Sequence, residues 1–130
     1  MTKKEEREYF YKMFDGKCAY CGFPLNPRWH IDHVEPIERY KKFNYDKKKM
    51  ETIVYRPERD ALENKLPSCS NCNLWKHSFS LETFRTEIQK QVERARKYSR
   101  NFMMAERYGL IKETGDKVVF YFEKHKATSA

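Results

Sequence analysis

The chain of 130 residues has the length of one domain and carries 27 Lys or Arg against 19 Asp or Glu, a formal net charge of +8. No apolar run approaches the roughly 18 residues of a transmembrane helix, and no apolar stretch follows the charged N-terminus, so we expect neither a membrane span nor a signal peptide. We therefore expect one intracellular domain over residues 1–130. Its basic balance favours a nucleic-acid partner, and a merely solvated basic surface is the alternative.

The first predicted element is a helix over residues 2–14. Thr2 and Glu5 have the spacing of a capping box, which satisfies free amides in the first turn of a helix. An apolar stripe follows at helical spacing and consists of Tyr9, Phe10, Met13 and Phe14. We expect this helix to end at Gly16 and to pack against the rest of the domain.

Four cysteines form two pairs with C-x-x-C spacing, Cys18 with Cys21 and Cys69 with Cys72. Such a pair places both sulfurs on one tight turn, and two pairs supply the four-sulfur shell that structural zinc prefers. A disulfide framework, a thioredoxin-like redox motif and a Cys₂His₂ finger fit less well. Nothing marks the chain as secreted, no βαβ pattern accompanies the pairs, and the nearby histidines are too closely spaced.

Two short strands are predicted between the cysteine pairs, over residues 30–36 and 62–67. The first has β-branched residues and ends at a proline, and its alternation places Asp32 and His33 on opposite faces. The second leads directly into the second cysteine pair. A helix beginning after that pair would stack Asn73 and His77, four residues apart, on one face; Asn73 has a second interpretation as the cap of this helix.

Residues 37–60 form an insertion that mixes basic and aromatic side chains. The basic residues are Lys41, Lys42, Lys47, Lys48, Lys49, Arg56 and Arg59, and the aromatic ones are Tyr40, Phe43, Tyr45 and Tyr55. Basic and aromatic side chains together are typical of a nucleic-acid contact. A solvated insertion whose aromatic residues cover the core fits equally well.

A second helix is predicted from Ser80. The apolar positions of this helix at helical spacing are Leu81, Phe84, Ile88, Val92 and Ala95. A short helix near residues 101–108 should follow it. Residues 110–122 read as a β-hairpin that turns near Gly115. The apolar stretch 118–122 needs a partner, which is either the second helix or another subunit.

The motifs of residues 15–80, taken in order, resemble those of the HNH endonucleases of the ββα-metal class. The motifs are Cys18-Ala19-Tyr20-Cys21-Gly22, Ile31-Asp32-His33-Val34-Glu35-Pro36, Glu63-Asn64-Lys65-Leu66 and Cys69-Ser70-Asn71-Cys72-Asn73-Leu74-Trp75-Lys76-His77. The resemblance implies an α+β fold, a ββα-metal core stapled by a four-cysteine zinc, with flanking helices and a C-terminal β-hairpin. Residues 81–126 would then form a helical and hairpin extension.

The same resemblance implies roles for five residues. His33 would be the general base, and Asn64 would brace the strand pair and orient His33. Asp32 and His77, with Asn73, would ligate a catalytic divalent ion. A carboxylate, an amide oxygen and an imidazole suit Mg²⁺ or Mn²⁺, with other divalent ions tolerated, whereas zinc on the cysteines would be structural.

The function that the resemblance implies is metal-dependent hydrolysis of DNA phosphodiester bonds with one metal ion and a histidine base, leaving 5′-phosphate and 3′-hydroxyl ends. The residues expected to contact nucleic acid are His30, Lys41, Lys42, Lys47, Lys48, Lys49 and Lys76. For His30, packing beside the first cysteine pair is an equal alternative. The resemblance implies double-stranded DNA as partner, no membrane, and the cytoplasm of a bacterial or phage-infected cell, with a second copy or a phage or host protein left open.

Two other classes of function share part of this pattern. A zinc-stapled DNA-binding module without catalysis would have the same charge and the same cysteine pairs, but it has no need of His33 and Asn64. A zinc scaffold for protein interaction predicts neither salt-sensitive DNA binding nor a second metal ion.

Overall fold

A computed structural model describes residues 1–125 and shows an α+β fold with two small antiparallel sheets. The helices are α1 Lys3–Met13, α2 Ser70–Lys76, α3 Leu81–Gln89, α4 Gln91–Tyr98, α5 Arg100–Arg107 and α6 Tyr121–Lys124. The strands are β1 His30–His33, β2 Glu38–Asn44, β3 Lys49–Tyr55 and β4 Lys65–Ser68. Two short 3₁₀ turns, Pro57–Arg59 and Leu62–Asn64, lie between β3 and β4. None of the helices within residues 1–125 is long and apolar enough to cross a membrane.

Helix α1 begins where the capping pattern predicts. The Thr2 hydroxyl oxygen accepts a hydrogen bond from the Glu5 amide at 3.1 Å, which satisfies a free donor of the first turn. The Glu5 carboxylate accepts from the Thr2 hydroxyl at 3.0 Å instead of reaching the Thr2 backbone. The helix ends at Met13, three residues before Gly16, and buries Phe10 completely.

The two sheets are nested in the chain. Strand β1 pairs with β4, so that Asp32 lies opposite Leu66 and His33 opposite Lys65, and strands β2 and β3 form a hairpin inserted between them. Helix α2 follows β4 directly and contacts β1. The second predicted strand starts later than expected, because residues 62–64 form a 3₁₀ turn.

The core gathers aromatic rings around the cysteine pairs. Phe84 of α3 stacks on Phe120 with ring centroids 5.3 Å apart, and Tyr20 meets both rings edge-on at 5.5 Å. Cys18 and Cys69 are buried in the same cluster. The aromatic core therefore packs directly on the cysteine site, so the two depend on each other.

The predicted second helix is divided in two. Helix α3 begins after Ser80, whose hydroxyl accepts from the Thr83 amide, and α4 follows after a single break at Lys90. The short helix predicted near residues 101–108 is present as α5.

The predicted C-terminal β-hairpin is wrong: residues 110–120 contain no strand, and α6 follows them. Side chains of α3 take the backbone groups that a second strand would have used. Gln89 donates to the Asp116 carbonyl and accepts from the Val118 amide, and Arg85 donates to the Val118 carbonyl, each at 2.8 Å. The second helix is thus the partner of this apolar segment, which needs no other strand to satisfy its backbone. Residue 126, the predicted end of the extension, lies outside the described residues.

Candidate active site and nucleic-acid interface

The four cysteines come together as predicted. Their Sγ atoms all lie within 4.8 Å of one another, and those of Cys21 and Cys69 are 3.8 Å apart. A tetrahedral zinc with Zn–S bonds of about 2.3 Å has sulfurs about 3.8 Å apart along each edge. The cluster can hold a metal ion and is compatible with structural zinc.

Local backbone geometry builds both cysteine turns. Gly22 has φ +76°, the left-handed region that favours glycine, and its amide donates to the Cys18 carbonyl at 2.9 Å. A Cβ at that position would lie 2.6 Å from the Tyr121 ring, so a side chain is excluded for a second reason. Cys69 caps α2 and its sulfur accepts from the Cys72 amide at 3.4 Å.

The grouped thiols also stabilise negative charge. Hydrogen bonds from the Cys21 and Cys72 thiols hold the pKa of Cys18 far below its usual range. Hydrogen bonds to the Cys18 and Cys21 sulfurs, and then burial, raise the pKa of Cys72. A cation bound by all four sulfurs would displace the protons that these thiols share.

Asp32 lies buried at the centre of a polar cluster. Its Oδ2 accepts a hydrogen bond from the Tyr20 hydroxyl at 2.6 Å and lies 3.0 Å from the Lys76 Nζ. Burial and the adjacent carboxylate raise the pKa of Tyr20, which stays a neutral donor. Both contacts use Oδ2, so Oδ1 is the oxygen left for another ligand.

Lys76 was expected to contact nucleic acid, and the structure contradicts this. Its side chain is 0% exposed, and its Nζ donates to the His33 carbonyl at 2.8 Å and pairs with Asp32. An ammonium group buried this deeply needs both a counter-ion and a hydrogen-bond acceptor, and β1 supplies both. Lys76 therefore ties α2 to β1 and is not available to a phosphate.

His33 has a partner that sequence analysis did not find. Its Nε2 lies 2.9 Å from Oδ1 of Asp60, a residue at the end of the insertion. The hydrogen bond from His33, and then that from Lys65, lowers the pKa of Asp60, which is therefore a carboxylate. A carboxylate only accepts, so Nε2 carries the proton and Nδ1 is the ring nitrogen free to accept one.

Asn64 fixes the chain that leaves β1. Its Oδ1 accepts from the Glu35 amide at 3.0 Å, and its Nδ2 donates to the carbonyls of Glu35 at 2.8 Å and Arg59 at 2.7 Å. The Asn64 carbonyl accepts from the Val34 amide at 2.8 Å. Asn64 thus joins the segment after His33 to the segment before Asp60. This position is compatible with a residue that braces the two segments. The catalytic role of Asn64 stays a prediction.

Asn73 and His77 are placed differently from expectation. Helix α2 begins at Ser70, so Asn73 lies within it, and its interpretation as the cap is wrong. Asn73 is half-buried, and no hydrogen bond within residues 1–125 uses its side chain. His77 lies after the helix with φ +49°, is exposed, and lies 3.0 Å from the Ser78 hydroxyl through Nδ1. The predicted stacking of these two residues on one helical face is therefore not observed.

The insertion is a two-stranded ribbon, residues 38–55, whose aromatic residues do not cover the core. Tyr45 is 82% exposed, Tyr40 53% and Phe43 40%. The lysines predicted to contact nucleic acid are also exposed, and they are Lys41, Lys42, Lys47, Lys48 and Lys49. His30 is exposed at the start of β1. The alternative of aromatic residues covering the core is therefore wrong, whereas nucleic-acid contact stays a prediction.

Within residues 1–125, the four cysteines are the only group of three or more His, Cys, Asp or Glu side chains placed to share one ion. Asp32, His33 and His77 do not form such a group. The predicted ligand set of Asp32, Asn73 and His77 includes only two residues of these types, so a catalytic ion held by it stays a prediction.

Comparison of the chain with models of protein families, with curated proteins and with solved structures gave no match.

Proposed function

We propose that this protein is a metal-dependent DNA endonuclease in which His33 is the general base. The observation that carries the proposal is the pairing of His33 with Asp60 next to the buried Asp32, on strand β1, which pairs with β4 and contacts α2. The resemblance of residues 15–80 to the HNH endonucleases agrees with these roles. A DNA-binding module without catalysis has no use for a histidine held in one tautomer.

The catalytic ion would bind near Asp32 and Asn73. Lys76 contacts Asp32, and Asn73 is three residues before Lys76, on the same face of α2. The free Oδ1 of Asp32 and the unbonded Asn73 amide are oxygen ligands of the kind that Mg²⁺ and Mn²⁺ take, with waters and substrate phosphate as further ligands. When bound, the ion would neutralise the phosphate and the departing 3′ oxygen. His77 would join this set through Nε2, because its Nδ1 lies 3.0 Å from the Ser78 hydroxyl.

Each residue of the site would then have a separate role in hydrolysis. His33 would accept the proton of the attacking water at Nδ1, while Asp60 keeps the ring in position and stabilises the imidazolium that forms. Asn64 would hold the backbone on both sides of this pair. Lys76 and Tyr20 would hold Asp32 in position by occupying its Oδ2.

The test is conversion of supercoiled plasmid to open-circular or linear DNA in Mg²⁺, in Mn²⁺ or in EDTA. His33→Ala should retain the fold and DNA affinity and lose cleavage by orders of magnitude, because no other group here replaces the base. His125→Ala is the matched control, since His125 stacks on Tyr121 and has no place in the site. Metal-dependent cleavage by His33→Ala would overturn the base assignment, and DNA binding without cleavage by the native chain would favour the binding module.

A further inference from the structure

The ribbon of strands β2 and β3 is the most exposed regular element of the described chain. All but three of its eighteen residues are exposed, and the three half-buried residues are Asn44, Glu51 and Ile53. A two-stranded ribbon alone is only marginally stable in water. Met50, 55% exposed, and the aromatic residues named above add apolar area that water does not favour. These features indicate a surface that becomes covered by a partner.

The charges of the ribbon are sorted between its two faces. Residues paired across the strands share a face, and successive residues alternate. One face, here called the acid-free face, contains no acidic residue and consists of Arg39, Lys41, Phe43, Met50, Thr52 and Val54, all exposed. The opposite face contains Glu38 and Glu51 beside Lys42 and Lys49.

The charge selects the class of partner. The ribbon has six Lys or Arg against three Asp or Glu, so a second copy would bring like charges together. A polyanion meets no repulsion on the acid-free face. The major groove of B-DNA is wide enough to admit a two-stranded ribbon, and Arg, Lys and Thr side chains together with apolar groups are the types that read base edges there.

The ribbon also starts and ends at the proposed active site. Strand β2 begins five residues after His33, and Asp60, which contacts His33, follows β3 by five residues. Arg59 donates to the Pro36 carbonyl at 3.1 Å and closes the base of the ribbon. A groove reader mounted here would set which phosphate lies near His33.

We propose that the ribbon enters the major groove of duplex DNA with its acid-free face on the base edges and so gives the enzyme a sequence preference. This inference rests on the proposed function for its substrate, double-stranded DNA. It goes further by naming the groove, the face and the residues that discriminate between sequences.

The first experiment selects bound duplexes from a random pool with the full-length His33→Ala protein and then applies methylation interference. Dimethyl sulfate marks guanine N7 in the major groove and adenine N3 in the minor groove. We expect a selected sequence whose binding is blocked by methylation at guanine N7. Interference at adenine N3 alone, or the absence of any preferred sequence, would overturn the proposal.

The second experiment compares two double variants that remove the same charge from opposite faces. Arg39→Ala with Lys41→Ala should reduce the ratio of specific to non-specific affinity by about tenfold, because base contacts are lost. Lys42→Ala with Lys49→Ala should weaken binding to all sequences and lower the salt dependence, yet keep the ratio. An unchanged ratio in the first variant, with its circular dichroism and zinc content intact, would overturn the proposal.

Both experiments measure DNA binding. A result that rejects the ribbon proposal is therefore distinct from one that rejects the nuclease assignment. N7 interference with no plasmid cleavage would reject the proposed activity and keep the ribbon as a groove reader. Cleavage without N7 interference would keep the nuclease and reject the reader. Self-association through the ribbon in sedimentation, without DNA binding, would overturn the inference in favour of a second copy.

Discussion

The surroundings of Asp32 and the β2–β3 ribbon hold their charges in opposite ways. Around Asp32 each charge has an internal partner: Lys76 is wholly buried and bonded to Asp32 and the His33 carbonyl. On the acid-free face of the ribbon, Arg39 and Lys41 are exposed and no ion pair within residues 1–125 involves them. The first set of charges therefore stabilises the fold, whereas the second is free for a partner.

This difference separates two kinds of mutational effect. Breaking a buried pair leaves an uncompensated charge in a poorly hydrated place and costs folding free energy. Removing an exposed, unpaired charge changes folding free energy little and is felt in binding and its salt dependence. A basic residue near the site can thus be assigned to one class or the other by measuring stability and affinity separately.

The largest loss of folding free energy is expected from Cys69→Ser, which removes a buried ligand of the cysteine site. Zinc binding in small four-ligand sites contributes about 10–16 kcal/mol, which is as large as the whole stability of a small domain. Cys69 is also buried in the aromatic core and caps α2. We expect loss of zinc by elemental analysis and loss of the cooperative thermal transition in circular dichroism. A folded, zinc-replete Cys69→Ser protein would refute the four-cysteine site.

The next largest loss of folding free energy is expected from Lys76→Met, because this substitution leaves the Asp32 carboxylate buried without its counter-ion. Breaking a buried pair costs about 3–5 kcal/mol, measured from urea unfolding at constant zinc. Tyr20→Phe removes only one hydrogen bond to the same oxygen and should cost about 1.5–3 kcal/mol. If Lys76 instead contacted phosphate, Lys76→Met would unfold at the native urea midpoint and bind DNA with a reduced salt dependence.

A smaller effect on stability but a clear one on rate is expected from Asp60→Asn. The substitution keeps the shape of the side chain and removes the charge that orients His33, so cleavage should slow by about tenfold. Single-turnover nicking at saturating protein separates this rate from DNA affinity, which should not change. Lys65→Met is the control, because it removes the other partner of Asp60 and leaves the contact with His33. Equal slowing by both variants would indicate a general effect of the cluster.

The sequence predicted the elements whose signal is local. C-x-x-C spacing located the cysteine site, and the position of Thr2 located the start of α1. Each of these depends on residues within a few positions of one another. The two strands between the cysteine pairs were predicted for the same reason, although the first ends at His33, three residues before Pro36, and the second begins three residues late.

The predictions from sequence were wrong or incomplete where the structure depends on contacts between residues distant in the chain. Residues 118–122 have strand-like composition, but Gln89 and Arg85 bond the Val118 backbone and Phe120 enters the core, so no hairpin forms. From the sequence alone, Lys76 is predicted to be an exposed basic residue, and only its contact with Asp32 shows otherwise. The contact of Asp60 with His33 spans 27 residues and the whole ribbon, and no local pattern announces it.

The smallest effect on stability is expected from removing the ribbon itself, and this tests the comparison most directly. Residues 39–54 can be replaced by a short Gly-Asn turn, because Glu38 and Tyr55 are paired neighbours at the base. Asn64, Asp60 and the Pro36 carbonyl keep their contacts outside the deleted segment. The zinc content and melting temperature should therefore stay near those of the native chain, while DNA affinity and its salt dependence fall. A large drop in melting temperature would show that the ribbon is part of the core, and that its exposed charges stabilise the fold after all.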